Sequence, residues 1–412
     1  MNLTRTLDRS RHLVPTQTQR PMTVLIAADT YPPDVNGAAV FCHRLARALH
    51  QRGHDVHVVA ARNDAGPDSV ERTEEATVHR LQSVPAPTHE YYRLVFPWHA
   101  NRSIGRLLDE LRPDVVHVQC HYMIGEAAIN EAERRRIRTI ATNHFMPENL
   151  EPFLPFPQWF RDIVSRTSWR DMGRLMGKAA AVTTPTGLAA RTMSEHAGLD
   201  HVLPISNGID SSAYEQAPGE TVEKADHPVV LFVGRLAVEK NIDVLIRALA
   251  LMDPALNAHL EIVGDGEQRT VLRELVAELG MSERVTFHGH VTDEQLHRLY
   301  LHADLFCQPG TAELQSLVSL EAMSASKPVV LADALALPHL VEDGENGYLF
   351  APGDAQDLAE KLSAVLSASP ADRDRMGEAS HARAVQHSQE KTVFLFEQLY
   401  RGASPEQIRA QL

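Results

Sequence analysis

Short, wholly apolar runs alternate with segments of helical periodicity in two successive series along this chain. The first series opens with the run 24–28, followed by apolar positions Val40, Leu45, Ala48 and Leu49 at helical spacing. Runs at 56–60, 115–118 and 139–142 come next, with a helix at 127–135 before the last of them, then a helical region near 158–177, a strand at 180–183 and a helix at 187–196. The second series passes through 229–233, a helix at 242–251, and strands at 260–263, 285–287, 303–307 and 328–331. A strand apolar on both faces must be covered on both faces, so each series specifies a parallel sheet wound with helices on either side. The fold class expected is therefore α/β, with two doubly wound Rossmann-like domains facing each other across a cleft. Boundaries are expected as a loose tail over 1–20, a first domain over 21–205, a second over 206–387, and helices over 388–412 that pack back toward the first. The turn-rich stretch from Ile205 to Asp210 marks the crossing, and the weakly apolar stretch 215–227 reads as a surface loop.

A length of 412 residues exceeds one ordinary core and suits two domains. With 40 basic against 54 acidic residues, the net charge of -14 argues against general nucleic-acid binding. Cys42, Cys120 and Cys307 are scattered in apolar surroundings without a paired spacing, which argues against a disulfide frame or a zinc site and for thiols in a reducing compartment. The arginine-bearing first residues lack an apolar centre and do not read as a secretory signal. No run approaches the length of a membrane span. A cytoplasmic protein follows as the expectation, with a peripheral place on the inner face of the plasma membrane as an extension of it.

In doubly wound sheets ligands bind at the carboxyl ends of the strands. Candidate residues gather there. After the strand at 229–233 come Gly234, Arg235 and Lys240; two cations at a strand end suit a diphosphate, although two cations five apart are also common in a solvated loop. Gly264 and Gly266 follow the strand at 260–263 and permit tight turning and close approach. A dinucleotide fingerprint is disfavoured because Arg269 stands where its third glycine belongs. Asn36-Gly37 opens the first helix and reads either as an anion-facing turn or as a plain helix start. His144 follows the strand at 139–142; His117 and His121 flank another strand end and weigh less. Glu313 and Glu321 bracket the start of a helix with Leu314, Gln315 and Ser316 between them. One carboxylate can accept from sugar hydroxyls and the other from a ribose diol; the plainer reading is a first-turn acid and a surface acid.

Taken in order and at their intervals, Gly234-Arg235 with Lys240, Gly264-Asp265-Gly266, and Glu313 with Glu321-Ala322-Met323 resemble the retaining glycosyltransferases of family 4. The phrases Asn207 to Asp210, Asn346 to Phe350, Asn36-Gly37 and Arg52 to Val56 extend the resemblance over roughly residues 22–400. It implies the GT-B arrangement, with a nucleotide sugar held mainly by the second domain. It implies Arg235 and Lys240 on the diphosphate, Glu313 on donor-sugar hydroxyls, Glu321 on the ribose, Gly37 near the diphosphate, and His144 near donor sugar and acceptor. His144 and Glu313 thus stand as catalytic candidates. Gly264, Gly266, Leu314, Gln315 and Ser316 join the donor-binding set. A UDP-sugar is favoured over a GDP-sugar, and neither a metal nor another cofactor is called for.

The sequence departs from the family at Leu314-Gln315-Ser316, where glycine is usual, and at Ser326, which points to altered donor choice. For the acceptor, Arg161, Arg166, Arg170, Arg174 and Lys178 form a basic stripe beside apolar residues within 151–178. That pattern fits an anionic membrane surface or a core-facing helix with a solvated side. The phrase 142–149 resembles bacterial members that glycosylate diacylglycerol, so a membrane glycolipid precursor is the acceptor expected. A soluble aminocyclitol or inositol, a nucleotide-sugar 2-epimerase activity, and a non-catalytic sugar-nucleotide sensor are the alternatives.

Overall fold

A computed structural model describes residues 20–34, 36–86, 89–146 and 158–412. The expected tail falls outside the described residues up to position 19, as do 147–157 of the acceptor segment.

In chain order the first part contains β1 (Thr23–Ala27), α1 (Gly37–Gln51), β2 (Asp55–Ala61), β3 (Ser69–Arg72), β4 (Thr77–Leu81), the hairpin β5 (Val84–Ala86) and β6 (His89–Leu94), and α2 (Pro97–Leu111). It continues through β7 (Val115–Val118), α3 (Met123–Arg135), β8 (Arg138–Thr142), α4 (Gln158–Met176), β9 (Ala181–Thr184), α5 (Gly187–Ala197) and β10 (Leu203–Pro204). The second part holds β11 (Val229–Val233), α6 (Ile242–Leu251), β12 (His259–Val263), α7 (Arg269–Glu278), β13 (Val285–Gly289), α8 (Asp293–His302) and β14 (Leu305–Gln308). It closes with α9 (Leu317–Ser324), β15 (Val329–Ala332), β16 (Gly347–Phe350), α10 (Ala355–Leu366), α11 (Pro370–Ala384), α12 (Gln389–Tyr400) and α13 (Pro405–Arg409).

Among the described residues the first sheet runs β10-β9-β8-β7-β1-β2-β4-β3 and the second β13-β12-β11-β14-β15-β16. Only β3 pairs antiparallel with its neighbour within these two sheets. All five residues of β11 are buried, and full burial of such apolar side chains stabilises by about 1.5–3 kcal/mol each. The first sheet packs α1, α12 and α13 on one face and α2 and α3 on the other, while α4 and α5 share a cluster around Trp169, Met172 and Met193.

Strand order reverses between β1 and β7 in the first sheet and between β11 and β14 in the second. Flanking connections at such a point leave on opposite faces, which opens a crevice at the carboxyl ends. The two sheets are joined by two crossing strands that bond to each other: Ile209 N donates to the His387 carbonyl at 2.7 Å, and Gln389 N to that of Ile209 at 3.0 Å. Gly208 sits at φ +78° with the Gln389 backbone where its side chain would be, so glycine is required there.

The strand expected at 303–307 begins instead at Leu305 and runs to Gln308, because Asp304 turns its carboxylate to accept from Val229 N at 2.8 Å. Between residues 69 and 111 the structure has elements beyond the expected strands and helices. There β3 lies at a sheet edge with Val70 largely exposed, and α2 starts on Pro97.

Candidate functional site

The crevice of the second sheet is built by the loops after β11 and β14. Asn241, held in the left-handed conformation, donates its side-chain amide to the Pro309 carbonyl and to Thr311 Oγ1, both at 3.3 Å. Thr311 N donates back to the Glu239 carbonyl at 3.2 Å. These bonds lace one loop to the other and set Lys240 against Glu313, whose carboxylate accepts from Lys240 Nζ. Arg235 spans Glu239 and Glu267. The cations expected on a diphosphate are thus each held by acids. Ser316 caps α9 through its hydroxyl to Ser319 N at 3.3 Å, and Glu321 lies on that helix.

The first sheet contributes the opposite wall. Asn36 caps α1, accepting from Ala39 N at 2.9 Å, and no atom lies within 4 Å of where a Gly37 side chain would begin. The N-terminal turn of α1 is therefore open and presents the positive end of a helix. His144 bonds through Nε2 to Gln119 Oε1 at 2.8 Å and leans on the Phe41 ring, 4.7 Å between centroids. Burial pushes its imidazolium down to about 3, so the ring is neutral near pH 7 and serves as a hydrogen-bonding group rather than a cation.

Around His144 the strand ends carry buried polar atoms without partners among the described residues. These are Asp29 Oδ2 after β1, Gln119 Nε2 and both ring nitrogens of His121 after β7, and Asn143 Nδ2 after β8. Burial raises the Asp29 carboxyl to about 6 despite the bond it accepts from Ile124 N. Buried polar groups are normally satisfied, so a row of unsatisfied ones at a switch point is the mark of a site completed by something else. Sequence reading does not single out Asp29, Gln119 and Asn143. Their position just past apolar runs is the signal that could have found them.

Several expected residues have structural partners of their own. Gly264 and Gly266 make room for backbone: a side chain would begin 2.0 Å from the Gly234 carbonyl oxygen and 2.5 Å from that of Leu236. The Gln315 amide turns to the domain crossing, accepting from Asn207 N at 2.7 Å and donating to Ser206 Oγ at 2.9 Å. Leu314 packs on the first-domain cluster that contains Met146 and Trp169. His117 is buried between Tyr400 and Thr142, at 2.6 and 2.7 Å, and fastens α12 to the sheet. In the Arg52 to Val56 phrase, Arg52 and His54 both grip Glu397 of α12, each at 2.8 Å.

Of the basic stripe, Lys178 bonds Glu133 and Asn130, while Arg166 and Arg170 are exposed. Trp159 and Ile163 at the start of α4 are 64% and 51% exposed. No helix of the described residues is long and apolar enough to cross a membrane. Among the same residues no cluster of three or more potential metal ligands occurs.

Comparison with known proteins agrees with this geometry. A family profile described as "Glycosyltransferase Family 4" matches residues 35–213, and one described as "Glycosyl transferases group 1" matches 214–383. A GDP-mannose-dependent alpha-mannosyltransferase of Corynebacterium glutamicum is 26% identical, over 84% of this chain and 80% of its own. A D-inositol 3-phosphate glycosyltransferase of Nocardia farcinica is 35% identical over 53% of this chain and 51% of its own. The alpha-monoglucosyldiacylglycerol synthase of Acholeplasma laidlawii is 24% identical over 80% and 85%. Among solved structures, sucrose-phosphate synthase of Thermosynechococcus elongatus superposes with a TM-score of 0.76 at 20% identity, covering 93% of this chain and 98% of that one. HepE of Anabaena, in complex with UDP, gives 0.72 at 20% identity over 93% and 100%. At such identity the likeness is one of fold. With one profile on each of the two domains and a doubly wound sheet in each, the chain belongs to the group 1 glycosyltransferases of family 4, sugar-transferring enzymes with the GT-B fold.

Proposed function

We propose that the protein is a retaining hexosyltransferase that takes its sugar from a nucleoside diphosphate donor, a UDP-hexose first, and delivers it to a hydroxyl of a polar acceptor group. What supports this reading is that Arg235 and Lys240 stand on the loop after β11, each bonded to an acid, while α1 of the first domain keeps its N-terminal turn open and packs Val40 on the second-domain core. That arrangement suits the charge that develops on a departing diphosphate. When the diphosphate takes Lys240, Glu313 is released to accept from donor-sugar hydroxyls. The bond from the anomeric carbon to the phosphate oxygen breaks, a bond to the acceptor oxygen forms on the same face, and the acceptor proton passes to the leaving diphosphate. His144, neutral and fixed by Gln119, orients sugar or acceptor hydroxyls. The unpartnered atoms of Asp29, Gln119, His121 and Asn143 suit an acceptor rich in hydroxyls, with which carboxylate, amide and imidazole can all bond.

The exposed Trp159 and Ile163, followed by Arg166 and Arg170, support an acceptor carried on an anionic membrane surface. So do Phe96 and Trp98, stacked at 4.7 Å and exposed at the start of α2. Both helices end just before a strand, at β7 and β9, which sets their first turns at the cleft edge of the sheet. The experiment is a donor panel of UDP-glucose, UDP-N-acetylglucosamine, UDP-glucuronate and GDP-mannose. Each is offered with inositol, with phosphatidylinositol vesicles or with diacylglycerol in anionic vesicles, and product is read by mass spectrometry and anomeric coupling by NMR. A hexose added with retained configuration, lost in Glu313→Ala by about a hundredfold or more, is expected. An inverted product, or a free isomerised nucleotide sugar with no acceptor product, defeats the reading. Product from free inositol alone would remove the membrane part of it.

A further inference from the structure

The Glu321 carboxylate, which the resemblance to family 4 puts on the donor ribose, is occupied by the other domain. Arg44 on α1 reaches across and donates from Nη2 to Glu321 Oε1 at 2.7 Å and to the Tyr214 hydroxyl at 3.0 Å. The Tyr300 hydroxyl donates to Oε2 at 2.9 Å, so each carboxylate oxygen has a partner. Beneath these groups Glu321 is only 5% exposed. A ribose diol approaching it meets the guanidinium first. Arg44 also keeps its second terminal nitrogen, Nη1, buried without a partner among the described residues. A guanidinium bonded on one side only is a seat that another ligand oxygen can improve. Val40, one turn before Arg44, packs on the second-domain core. A shift of Arg44 is therefore a shift of α1 against that domain.

We propose that Arg44 is a donor-site residue of the first domain, and that it covers Glu321 until a nucleotide ribose displaces it. This rests on the assignment of Glu321 to the ribose. The displacement ties donor binding to the spacing of the two domains, because the tie that breaks is one between them. A ligand that must displace an internal partner binds more weakly by the cost of the displacement, so removing Arg44 strengthens nucleotide binding only while Glu321 is present.

The test is calorimetric titration of the full chain with UDP and GDP, continued with whichever binds more tightly. It is run on the unaltered protein, Glu321→Gln, Arg44→Met and the double variant, with Arg44→Lys and Tyr214→Phe as milder changes. Glu321→Gln is expected to weaken binding about tenfold. Arg44→Met is expected to tighten it severalfold beside the native Glu321 and to change little in the Glu321→Gln background, while Arg44→Lys stays near the original value. Tyr214→Phe, which loosens the seat of Arg44 without removing a charge, is expected to tighten binding to a smaller degree. If Arg44→Met or Tyr214→Phe weakens binding, or Arg44→Met acts equally in both backgrounds, Arg44 does not cover the ribose site, although the Glu321 assignment stands. If Glu321→Gln leaves binding unchanged, the ribose assignment falls and the Arg44 proposal with it.

Discussion

At the scale of single residues, two glycines of similar appearance in the sequence serve opposite ends. Gly264 has φ +122° and the Gly234 carbonyl oxygen against its α-carbon, so it is needed for folding. Gly37 has open space beside it at the first turn of α1. Gly264→Ala is expected to destabilise the protein on the order of 3 kcal/mol through strain and overlap, read as a lowered urea midpoint. Gly37→Ala, by contrast, is expected to leave the midpoint nearly unchanged and to weaken nucleotide binding, read by titration. Equal stability losses would refute the distinction. Lys240 and Glu313 hold each other in an ion pair.

At the scale of elements, α12 is the piece whose place matters most. It follows the last second-domain helix in sequence but lies on the first sheet. Glu397 to Arg52 and His54, Tyr400 to His117, and Arg138 to the Leu399 and Ala403 carbonyls hold it there. Burial acts to raise the Glu397 carboxyl, but the bond with His54 and the Arg52 charge outweigh it, so its pKa is lowered. A carboxyl with a depressed folded value stabilises above its ordinary value near 4.5 and loses that contribution as pH falls through the folded one. Glu397→Ala is expected to cost about 2 kcal/mol at neutral pH and to speed hydrogen exchange in α12 before it affects the second sheet. Uniform loss of protection across both domains would show that α12 is not the element released.

For the whole molecule, acid is expected to act through buried histidines of the first domain. Burial, then the nearby His144 charge, pushes His117 down to about 3 from its ordinary 6.5, and burial brings His144 to about 3 as well. The unfolded chain takes up these protons first. The stability they confer is complete above about 6.5 and is lost as pH falls toward 3, by up to about 1.4 kcal/mol per pH unit for each histidine. The melting temperature is expected to fall steadily from pH 6.5 to 4, and His117→Gln to flatten that slope. A parallel slope in the variant would place the sensitivity elsewhere.

The sequence by itself determined the α/β class, the two parallel sheets and the strand ends that carry Arg235, Lys240, His144 and Glu313. Apolar runs that alternate with helical periods leave few other ways to bury their side chains. Periodicity said nothing of the polar edge strand at 69–72, where little apolar surface marks the element, whereas α2 does carry Ala100, Ile104, Leu107 and Leu108 at helical spacing. Nor can local pattern say what a side chain meets across space. Only the tertiary structure decided that Gln315 serves the crossing, that His117 is a clasp for α12, and that Gly264 yields to backbone. It also decided that Arg44 lies on Glu321, 277 positions away. Hydrogen bonds between residues so distant depend on how the two domains sit together, which no short stretch of chain encodes.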